Sequence, residues 1–531
     1  LGRPFVGLAG QHLNYLLQIA GINRMELYVT NVIKERPPHN NVNVFIKHSS
    51  KTGDVTVTEN YLEYERYLYN ELKDVKANVL VPVGNIALYS LTRKWHITKR
   101  RGSIYEGITD IGNRKVIPTI HPAAALRKFD YNYSILADFK RIKAQSEFPE
   151  VILPNLTIIT KPTFSEALAY IAVCAKSNVV AFDIEVSNGE VSCISFSYEE
   201  NKGISIPFVW DGYSYYTDQE ETDIWFQIGR LLEDPNVYKL TQNGTFDTTY
   251  LFDKYGIRCT EVGDTMIQHG ILYPELLKGL DFITSTQTEI QYYKDEGKFR
   301  GGYSSATDND FAIYNAKDSI VLMTAYPKLE TYTRKQGNYN TYNNQRKLIP
   351  ILSYMNTLGM CMDVEELQRA KTDALKRRDE AKESLIVMSN GLITNPNSIV
   401  QLKKYFYIAL GIKEIRAKGS VTTDDPAMKK ISLMGYKEAD LVQEFRFNKI
   451  FASQFFGVIL GDDGRLRNST NPVGTKNGRL SSSKNIMGEG TNTQNLPNLM
   501  KRFILADSGF LLYDLDLSQA ENRIVAYISP E

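Results

Sequence analysis

Two acidic residues, Asp183 and Glu185, stand two positions apart at the end of an apolar run in the segment VVAFDIEVS. On a strand, residues two apart project to the same face, so the two carboxylates can point together. Two further D-x-E pairs occur in the chain: Asp218 with Glu220, and Asp363 with Glu365. The first of these lies in a polar stretch and the second fits a helix N-terminus. Because adjacent like charges repel unless a cation or a proton neutralises them, we interpret Asp183 and Glu185 as metal ligands.

Two later segments supply further oxygen ligands. In KLTQNGTFDTTYL an apolar strand leads to Asn243 and then Asp247, and in FAIYNAKDSIVL Tyr314 and Asp318 share one helix face. Oxygen ligands without Cys or His favour Mg²⁺ or Mn²⁺ over zinc. In a two-metal site one ion activates the attacking water and the other stabilises the leaving oxygen, and Tyr314 could orient that water. Asn243 is a candidate contact to the nucleic acid.

Taken in order, these residues resemble the DEDDy class of 3′→5′ exonucleases, the proofreading domains of DNA polymerase I relatives. The set that carries the resemblance is Asp183, Glu185, Asp247, Tyr314 and Asp318. The resemblance implies an RNase H-like fold and two Mg²⁺ or Mn²⁺ ions. Asp264, in GDTMIQHGILYP, is interpreted as a helix cap. The alternative is that the acidic residues are solvated or cap helices.

Later segments resemble family A DNA polymerases up to their motif A. They are GTKNGRLSSSKN, TNTQNLP and LYDLDLSQAENRIVAYIS. The resemblance implies that Asp516, which precedes L-S-Q-x-E, binds the polymerase metals and that Glu521 is a steric gate against a ribose 2′-hydroxyl. Asp514 shares the expected strand face but not that position. Further DNA- or nucleotide-binding candidates are Arg479, Gln494 and Arg523.

The family's fingers helix and second catalytic aspartate have no counterpart before Glu531, and the chain begins at Leu1. We therefore expect a fragment truncated at both ends, with exonuclease activity only. The missing C-terminal polymerase portion is expected from a longer chain, a separate subunit or a spliced gene.

The N-terminal residues resemble a family 4-like uracil-DNA glycosylase over most of residues 1–140. The matching segments are LGRPFVGLAGQHLNYLL, LYVTNVIKERPP, VLVPVGNIALYSL, ITKRRGSIYEG and VIPTIHPAAALR. The resemblance implies that Phe5 stacks on a flipped uracil, Asn31 reads its edge and His121 stabilises charge on the leaving base. The family's cluster cysteines are absent, with Glu35 at one position, so no iron–sulfur cluster is expected. We prefer uracil sensing or template binding to glycosylase activity.

Length and periodicity predict an α/β protein of three domains. The resemblances imply that these are a uracil-DNA-glycosylase-like domain at 1–147, an RNase H-like exonuclease domain at 148–335 and a partial polymerase domain at 336–531. The last begins a mostly helical thumb and reaches the first palm strand at residues 510–516. Another strand is expected at residues 27–32.

Composition limits the function classes further. The 62 Lys and Arg residues balance 61 Asp and Glu, so any DNA binding must come from local basic patches. The four cysteines are scattered singly, without zinc-site spacing. No apolar run reaches the roughly 18 residues of a membrane span, so we expect no membrane partner and a location in the cytoplasm of an infected bacterial host.

The leading hypothesis is a bacteriophage-type family A DNA polymerase with proofreading, whose partners are primer-template DNA and dNTPs. One alternative is a free-standing DEDDy nuclease, which GRLSSS and DLSQAENR disfavour because a nuclease needs no steric gate. The other is a non-catalytic DNA-binding replication scaffold, which the intact acidic set disfavours.

Overall fold

The computed structural model describes residues 4–295, 307–485 and 487–529. The chain divides into two compact units, one formed by Leu1–Ser353 with Asn471–Leu480 and the other by Tyr354–Thr470 with Ser481–Glu531. Across the described ranges, no helix is both long enough and apolar enough to cross a membrane.

The N-terminal part of the first unit is a small α/β structure. Its helices are Leu8–Ala20 (α1), Glu59–Lys73 (α2), Asn85–Thr92 (α3), Ile97–Arg100 (α4), Pro122–Ala125 (α5) and Tyr131–Gln145 (α6), and its strands are Ile46–His48 (β1), Val55–Val57 (β2), Tyr105–Glu106 (β3) and Lys115–Val116 (β4). The strand expected at residues 27–32 is wrong. There the hydroxyl of Tyr28 donates to Glu71 of α2 at 2.5 Å and that of Thr30 at 3.0 Å, so side-chain contacts to a helix replace strand pairing.

The middle of the chain is built on a mixed sheet. Its strands are Thr157–Ile159 (β5), Val179–Ser187 (β6), Glu190–Glu199 (β7), Lys202–Pro207 (β8), Val209–Trp210 (β9), Tyr213–Ser214 (β10), Tyr238–Thr241 (β11) and Val262–Asp264 (β12). Within the described part of the chain, six of these are hydrogen-bonded in the order β12-β11-β6-β7-β8-β5. Strands β6, β7 and β8 form an antiparallel meander, whereas the β6–β11 and β11–β12 pairs are parallel.

Helices precede, separate or follow these strands along the chain. They are Phe164–Cys174 (α7), Asp218–Glu233 (α8), Thr245–Tyr255 (α9), Thr265–Leu272 (α10), Leu280–Gln287 (α11), Asp308–Lys335 (α12), Tyr339–Arg346 (α13) and Leu348–Leu358 (α14). Thr217 caps α8 in a reciprocal box with Glu220, so the Asp218 and Glu220 pair serves a helix start. Helix α12 packs across β6, β7 and β8.

The second unit is mostly helical. Its elements are Met360–Met362 (β13), Val364–Met388 (α15), Ile399–Lys403 (α16), Arg416–Ala417 (β14), Ser420–Val421 (β15), Asp425–Leu433 (α17), Lys437–Ile450 (α18), Arg465–Leu466 (β16), Ser469–Asn471 (β17), Ser481–Ser483 (β18), Asn498–Lys501 (α19), Ile504–Leu505 (β19) and Ala520–Ile528 (α20). Asp363 caps α15 by accepting from the Glu366 amide at 2.9 Å, as the helix-start interpretation of that D-x-E pair predicts.

The palm strand expected at residues 510–516 does not form. This segment has no strand assignment, and its apolar side chains Leu512 and Leu515 are 62% and 90% exposed. A strand is stabilised by hydrogen bonds to a neighbour, and no described strand pairs with this one.

Candidate metal centre

Strand β6 presents the D-x-E pair. Asp183 lies opposite Ser195 and Glu185 opposite Cys193 of β7, and the register shifts directly after Glu185. Such an irregularity re-aims the side chains beside it. Carboxylate oxygens of Asp183, Glu185 and Asp318 all lie within 4.8 Å of one another, and Glu185 and Asp318 are buried. Strand β6 and helix α12 therefore gather three of the five predicted site residues in one cluster.

Asn315 of α12 holds the first of these carboxylates, and the sequence interpretation missed it. Its amide nitrogen donates to the backbone oxygen and to Oδ2 of Asp183, both at 3.2 Å. The hydroxyl of Ser205 on β8 donates in turn to Asn315 Oδ1 at 2.8 Å. Asn315 stands three residues before Asp318, so both side chains face the sheet from α12. Asn315 therefore orients the Asp183 carboxylate of β6 from the helix side.

Asp247, which is buried at the start of α9, adds a fourth carboxylate. It lies outside the 4.8 Å cluster, and its Oδ1 accepts from the Ile184 amide between the two β6 acids at 3.2 Å. Asn243 is exposed and has a left-handed backbone, with φ 61°. The structure therefore brings Asp247 to the edge of the cluster but gives the Asn243 side chain no place in it.

The helix-cap interpretation of Asp264 is also realised. Its carboxylate accepts from the amides of Met266 at 2.7 Å and Ile267 at 3.2 Å, and from Gly244 at 2.7 Å. Burial raises the pKa of Asp264 to about 6, against the lowering effect of these hydrogen bonds. Asp264 thus fixes the turn that leads to Asp247.

The electrostatics of the cluster favour a cation. Burial, followed by the charges of Asp318, Asp247 and Glu185, raises the pKa of Asp183 well above its usual range. Burial is also the first cause that raises the pKa of Asp247. Since the carboxylates disfavour one another's ionised form, a divalent ion bound by their hard oxygens would remove that cost. The donor set therefore fits Mg²⁺ or Mn²⁺.

Tyr293 and Lys294 also lie in the site. No motif in the sequence indicated either residue. The ammonium of Lys294 lies 2.6 and 2.5 Å from the two carboxylate oxygens of Asp318 and 3.1 Å from the Tyr314 hydroxyl. The hydroxyl of Tyr293 donates to Asp318 Oδ1 at 2.5 Å. Burial, then the Asp318 charge, raises the pKa of Tyr314, so it stays a neutral phenol.

The predicted polymerase residues are placed on exposed positions. Arg479 belongs to the first unit, and its backbone oxygen accepts from Thr475 at 2.9 Å. Gln494 lies in a 3₁₀ turn whose backbone is bound by Asn492 at 3.1 Å. Asp516 precedes α20, and Glu521 and Arg523 lie on that helix. Among the described residues, Asp516 belongs to no group of three or more Asp, Glu, His or Cys side chains close enough to share a metal ion.

The predicted glycosylase-like residues are only partly gathered. The rings of Phe5 and His121 stack with centroids 5.4 Å apart, whereas Asn31 is exposed. His121 Nδ1 accepts from the Ala123 amide at 3.1 Å, which leaves Nε2 as the protonated nitrogen of the neutral ring. Burial, assisted by the Arg127 charge, lowers the pKa of His121. Together with Asn85 and Trp95, His121 lines a cavity of about 330 Å³.

Comparison with known protein families matches three successive segments of the chain. Residues 1–141 match the family model of the uracil DNA glycosylase superfamily, residues 157–333 that of a 3′-5′ exonuclease and residues 364–531 that of DNA polymerase family A.

Individual relatives match either the N-terminal part or most of the chain. A type-4 uracil-DNA glycosylase of Thermotoga maritima is 33% identical over 27% of this chain and 68% of its own length. A DNA polymerase of Bacillus phage SP01 is 23% identical over 98% of this chain, which spans 65% of the phage protein. The POL domain of Pol1 from M. smegmatis, solved with DNA primer-template and dNTP, is similar in structure, with a TM-score of 0.51 at 16% sequence identity. The match covers 65% of this chain and 57% of the M. smegmatis chain.

The confirmed α/β architecture, the acidic cluster on the middle sheet and the three matched segments agree. The chain therefore combines, in order, a domain of the uracil DNA glycosylase superfamily, a 3′-5′ exonuclease domain and a DNA polymerase family A domain.

Proposed function

We propose that the middle domain is a two-metal 3′→5′ proofreading exonuclease that removes mismatched nucleotides from a primer end. The observation that carries the proposal is the cluster of Asp183, Glu185 and Asp318 oxygens within 4.8 Å of one another. Asp247 provides the further carboxylate beside them. The alternatives of a free-standing nuclease and an inert scaffold are not favoured, because the same chain carries the polymerase family segment.

Each residue has a distinct part in this chemistry. Bound Mg²⁺ or Mn²⁺ ions would lower the pKa of the attacking water and stabilise the leaving 3′ oxygen. The carboxylates of Asp183, Glu185 and Asp318, with Asp247, would hold these ions. The neutral Tyr314 hydroxyl is proposed to orient the attacking water, and Asn315 keeps the Asp183 carboxylate in place through its 3.2 Å hydrogen bond.

The test is the degradation of a 3′-mismatched primer with Mg²⁺. Asp183→Ala is expected to lower the rate by more than about 100-fold, beyond the range typical of residues that only orient a metal ligand. The matched control is Asp218→Asn in the exposed first turn of α8, which should leave the rate unchanged. Equal rates for wild type and Asp183→Ala would remove the proofreading assignment.

We also propose that these 531 residues alone do not extend a primer. Polymerase chemistry needs more than one carboxylate to place its ions, and no acidic cluster forms around Asp516 in the described part of the chain. The remainder of the site is proposed to come from further polypeptide, in a longer chain or a separate subunit. Primer extension with dNTPs by the exonuclease-deficient Asp183→Ala variant would contradict this.

A third proposal concerns the N-terminal domain, which we infer binds uracil-containing DNA without releasing the base. The stacked pair of Phe5 and His121 supports it, because a flipped base would have to displace Phe5 to reach the His121 ring. Binding of a uracil-containing oligonucleotide should exceed that of its thymine counterpart, and Phe5→Ala should reduce the difference. Release of free uracil in a single-turnover assay would overturn the inference.

The partners proposed for the whole protein are primer-template DNA and dNTPs, the molecules named with the M. smegmatis structure. The phage relative supports the proposal that this protein acts on replicating DNA inside an infected bacterial cell. Crosslinking to primer-template DNA should occur with this polypeptide, and its absence would argue against a role at the primer.

A further inference from the structure

The N-terminal domain contacts the exonuclease domain through a buried set of arginines. The side chain of Arg101 is 3% exposed, and it donates to Asp138 at 2.7 Å and to the hydroxyl of Ser285 on α11 at 3.1 Å. Arg141 of α6 donates to the backbone oxygens of Ser285 and of Thr288, the latter at 2.7 Å. Backbone carbonyls at the end of α11 are thus bound by cations from the N-terminal domain.

The same domain also holds the residues that follow α11. We name residues 288–295 the connecting segment. The side-chain amide of Gln291 donates to the backbone oxygen of Ile104 at 2.8 Å. Arg100, at the end of α4, lies 3.0 Å from the Asp295 carboxylate, and its guanidinium covers the Tyr292 ring at 5.1 Å. The N-terminal domain therefore contacts the connecting segment at three positions, Gln291, Tyr292 and Asp295.

The connecting segment ends inside the exonuclease site. Its Tyr293 donates to Asp318 Oδ1 at 2.5 Å, and its Lys294 lies 2.5 Å from Asp318 Oδ2 and 3.1 Å from the Tyr314 hydroxyl. The anchored residues Tyr292 and Asp295 flank these two directly. A shift of the segment would therefore move the groups that fix Asp318 and Tyr314.

We propose that the N-terminal domain is a positioning element of the exonuclease site, holding the connecting segment so that Tyr293 and Lys294 set the Asp318 carboxylate and the Tyr314 hydroxyl. This inference rests on the proposed exonuclease function. It gives the domain a role within the chain that does not require uracil. Lys294 is a positioning residue, since it acts through Asp318 and Tyr314.

The test measures kcat and KM for removal of the 3′ nucleotide from a single-stranded oligonucleotide, using the whole chain. Lys294→Met is expected to lower kcat about 10- to 100-fold, the range typical of groups that orient a metal ligand. Arg100→Ala is expected to lower kcat by roughly 3- to 10-fold, since it displaces the segment without removing its side chains. KM should change little, because neither residue is assigned to substrate binding.

Three further variants make the result specific. Arg100→Lys should restore most of the rate lost in Arg100→Ala, because it retains a cation for Asp295. In the Lys294→Met background, Arg100→Ala should lower kcat by a smaller factor than it does in the wild type, since only Tyr293 is left on the segment to hold Asp318. Lys51→Ala, on the exposed β1–β2 turn of the same domain, is the matched control and should match wild type.

Asp295→Asn provides a second way to break the anchor if Arg100→Ala does not fold, and it should reduce kcat in the same manner. Rates within about twofold of wild type for the folded Arg100, Asp295 and Lys294 variants would overturn the inference. If Asp183→Ala is inactive in that experiment, the proposed exonuclease function stands. If Asp183→Ala is fully active, the proposed function itself has failed.

Discussion

Neighbouring side chains hold the proposed metal ligands of the exonuclease domain in place. Asp183 is half-buried between buried neighbours on β6, and its carboxylate is bound by Asn315 from α12. Asn315 is fully buried, and its own amide oxygen is satisfied by Ser205. The amide is therefore locked in one orientation and can hold a carboxylate precisely, without contributing a charge.

Replacing Asn315 by Leu should reduce exonuclease activity about 10- to 100-fold, because the Asp183 carboxylate loses its orienting donor. The measurement is the rate of 3′-nucleotide release at several Mg²⁺ concentrations, and higher Mg²⁺ should recover part of the loss. A rate equal to wild type at all Mg²⁺ concentrations would show that Asn315 has no orienting role.

A buried histidine makes the exonuclease domain sensitive to acid. His269 of α10 is fully buried, neither ring nitrogen has a hydrogen-bond partner among the described residues, and burial lowers its pKa to about 4. The unfolded chain binds a proton near pH 6.5 and the folded chain does not. The contribution of His269 to the free energy of unfolding is therefore fully present above about pH 6.5, and it is lost as the pH falls toward 4.

At pH 5 the expected loss from this residue is about 2 kcal/mol relative to pH 7. The free energy of unfolding by urea is measured for wild type and His269→Leu at both pH values. The difference between the two proteins isolates the contribution of His269, because the other titrating groups are common to both. The variant should lose about 2 kcal/mol less than wild type between pH 7 and pH 5. An equal loss in both proteins would contradict the assigned cause.

At the scale of elements, helix α12 is placed by its close packing on the hairpin strands. Gly203 of β8 makes this approach possible, because a Cβ there would lie 2.8 Å from Cγ1 of Ile320 on α12. The same helix carries Tyr314, Asn315 and Asp318. The distance between sheet and helix thus sets how closely the carboxylates proposed as metal ligands on β6 and α12 approach one another.

Gly203→Ala should lower the free energy of unfolding by about 1–3 kcal/mol through overpacking, and should reduce exonuclease activity as α12 shifts. The control is Gly229→Ala within α8, where the nearest atom to an added Cβ is Ile257 Cγ1 at 3.8 Å. That change should stabilise by about 0.5–1 kcal/mol, since Ala is the better helix former. Equal effects of the two substitutions would disprove the packing argument.

The elements that the sequence predicted best are those with a complete local pattern. Strands β6 and β7 follow from apolar runs, and the caps at Asp264 and Asp363 follow from acidic residues before helices. The segment 510–516 has an equally apolar pattern but forms no strand, because pairing depends on a neighbour and not on the segment itself. Residues 27–32 also form no strand, since their side chains contact helix α2 and no described strand pairs with them.

At the scale of the whole molecule, order along the chain predicted the three family segments and the acidic set, but not the residues that support it. Asn315 and Lys294 belong to no motif, since a single amide or lysine has no characteristic spacing. Their roles depend on where α12 and the connecting segment lie in three dimensions. The contribution of Arg100 depends further on the contact between two domains of one unit, which local sequence does not encode.

The central claim is that the carboxylates on β6, α9 and α12 hold divalent ions, and the most direct measurement is Mn²⁺ binding to the whole chain, followed by electron paramagnetic resonance. We predict two ions per chain for wild type and for Asp218→Asn, and a clear loss of bound Mn²⁺ for Asp183→Asn and Asp318→Asn. Wild-type uptake by the latter two variants would contradict the account.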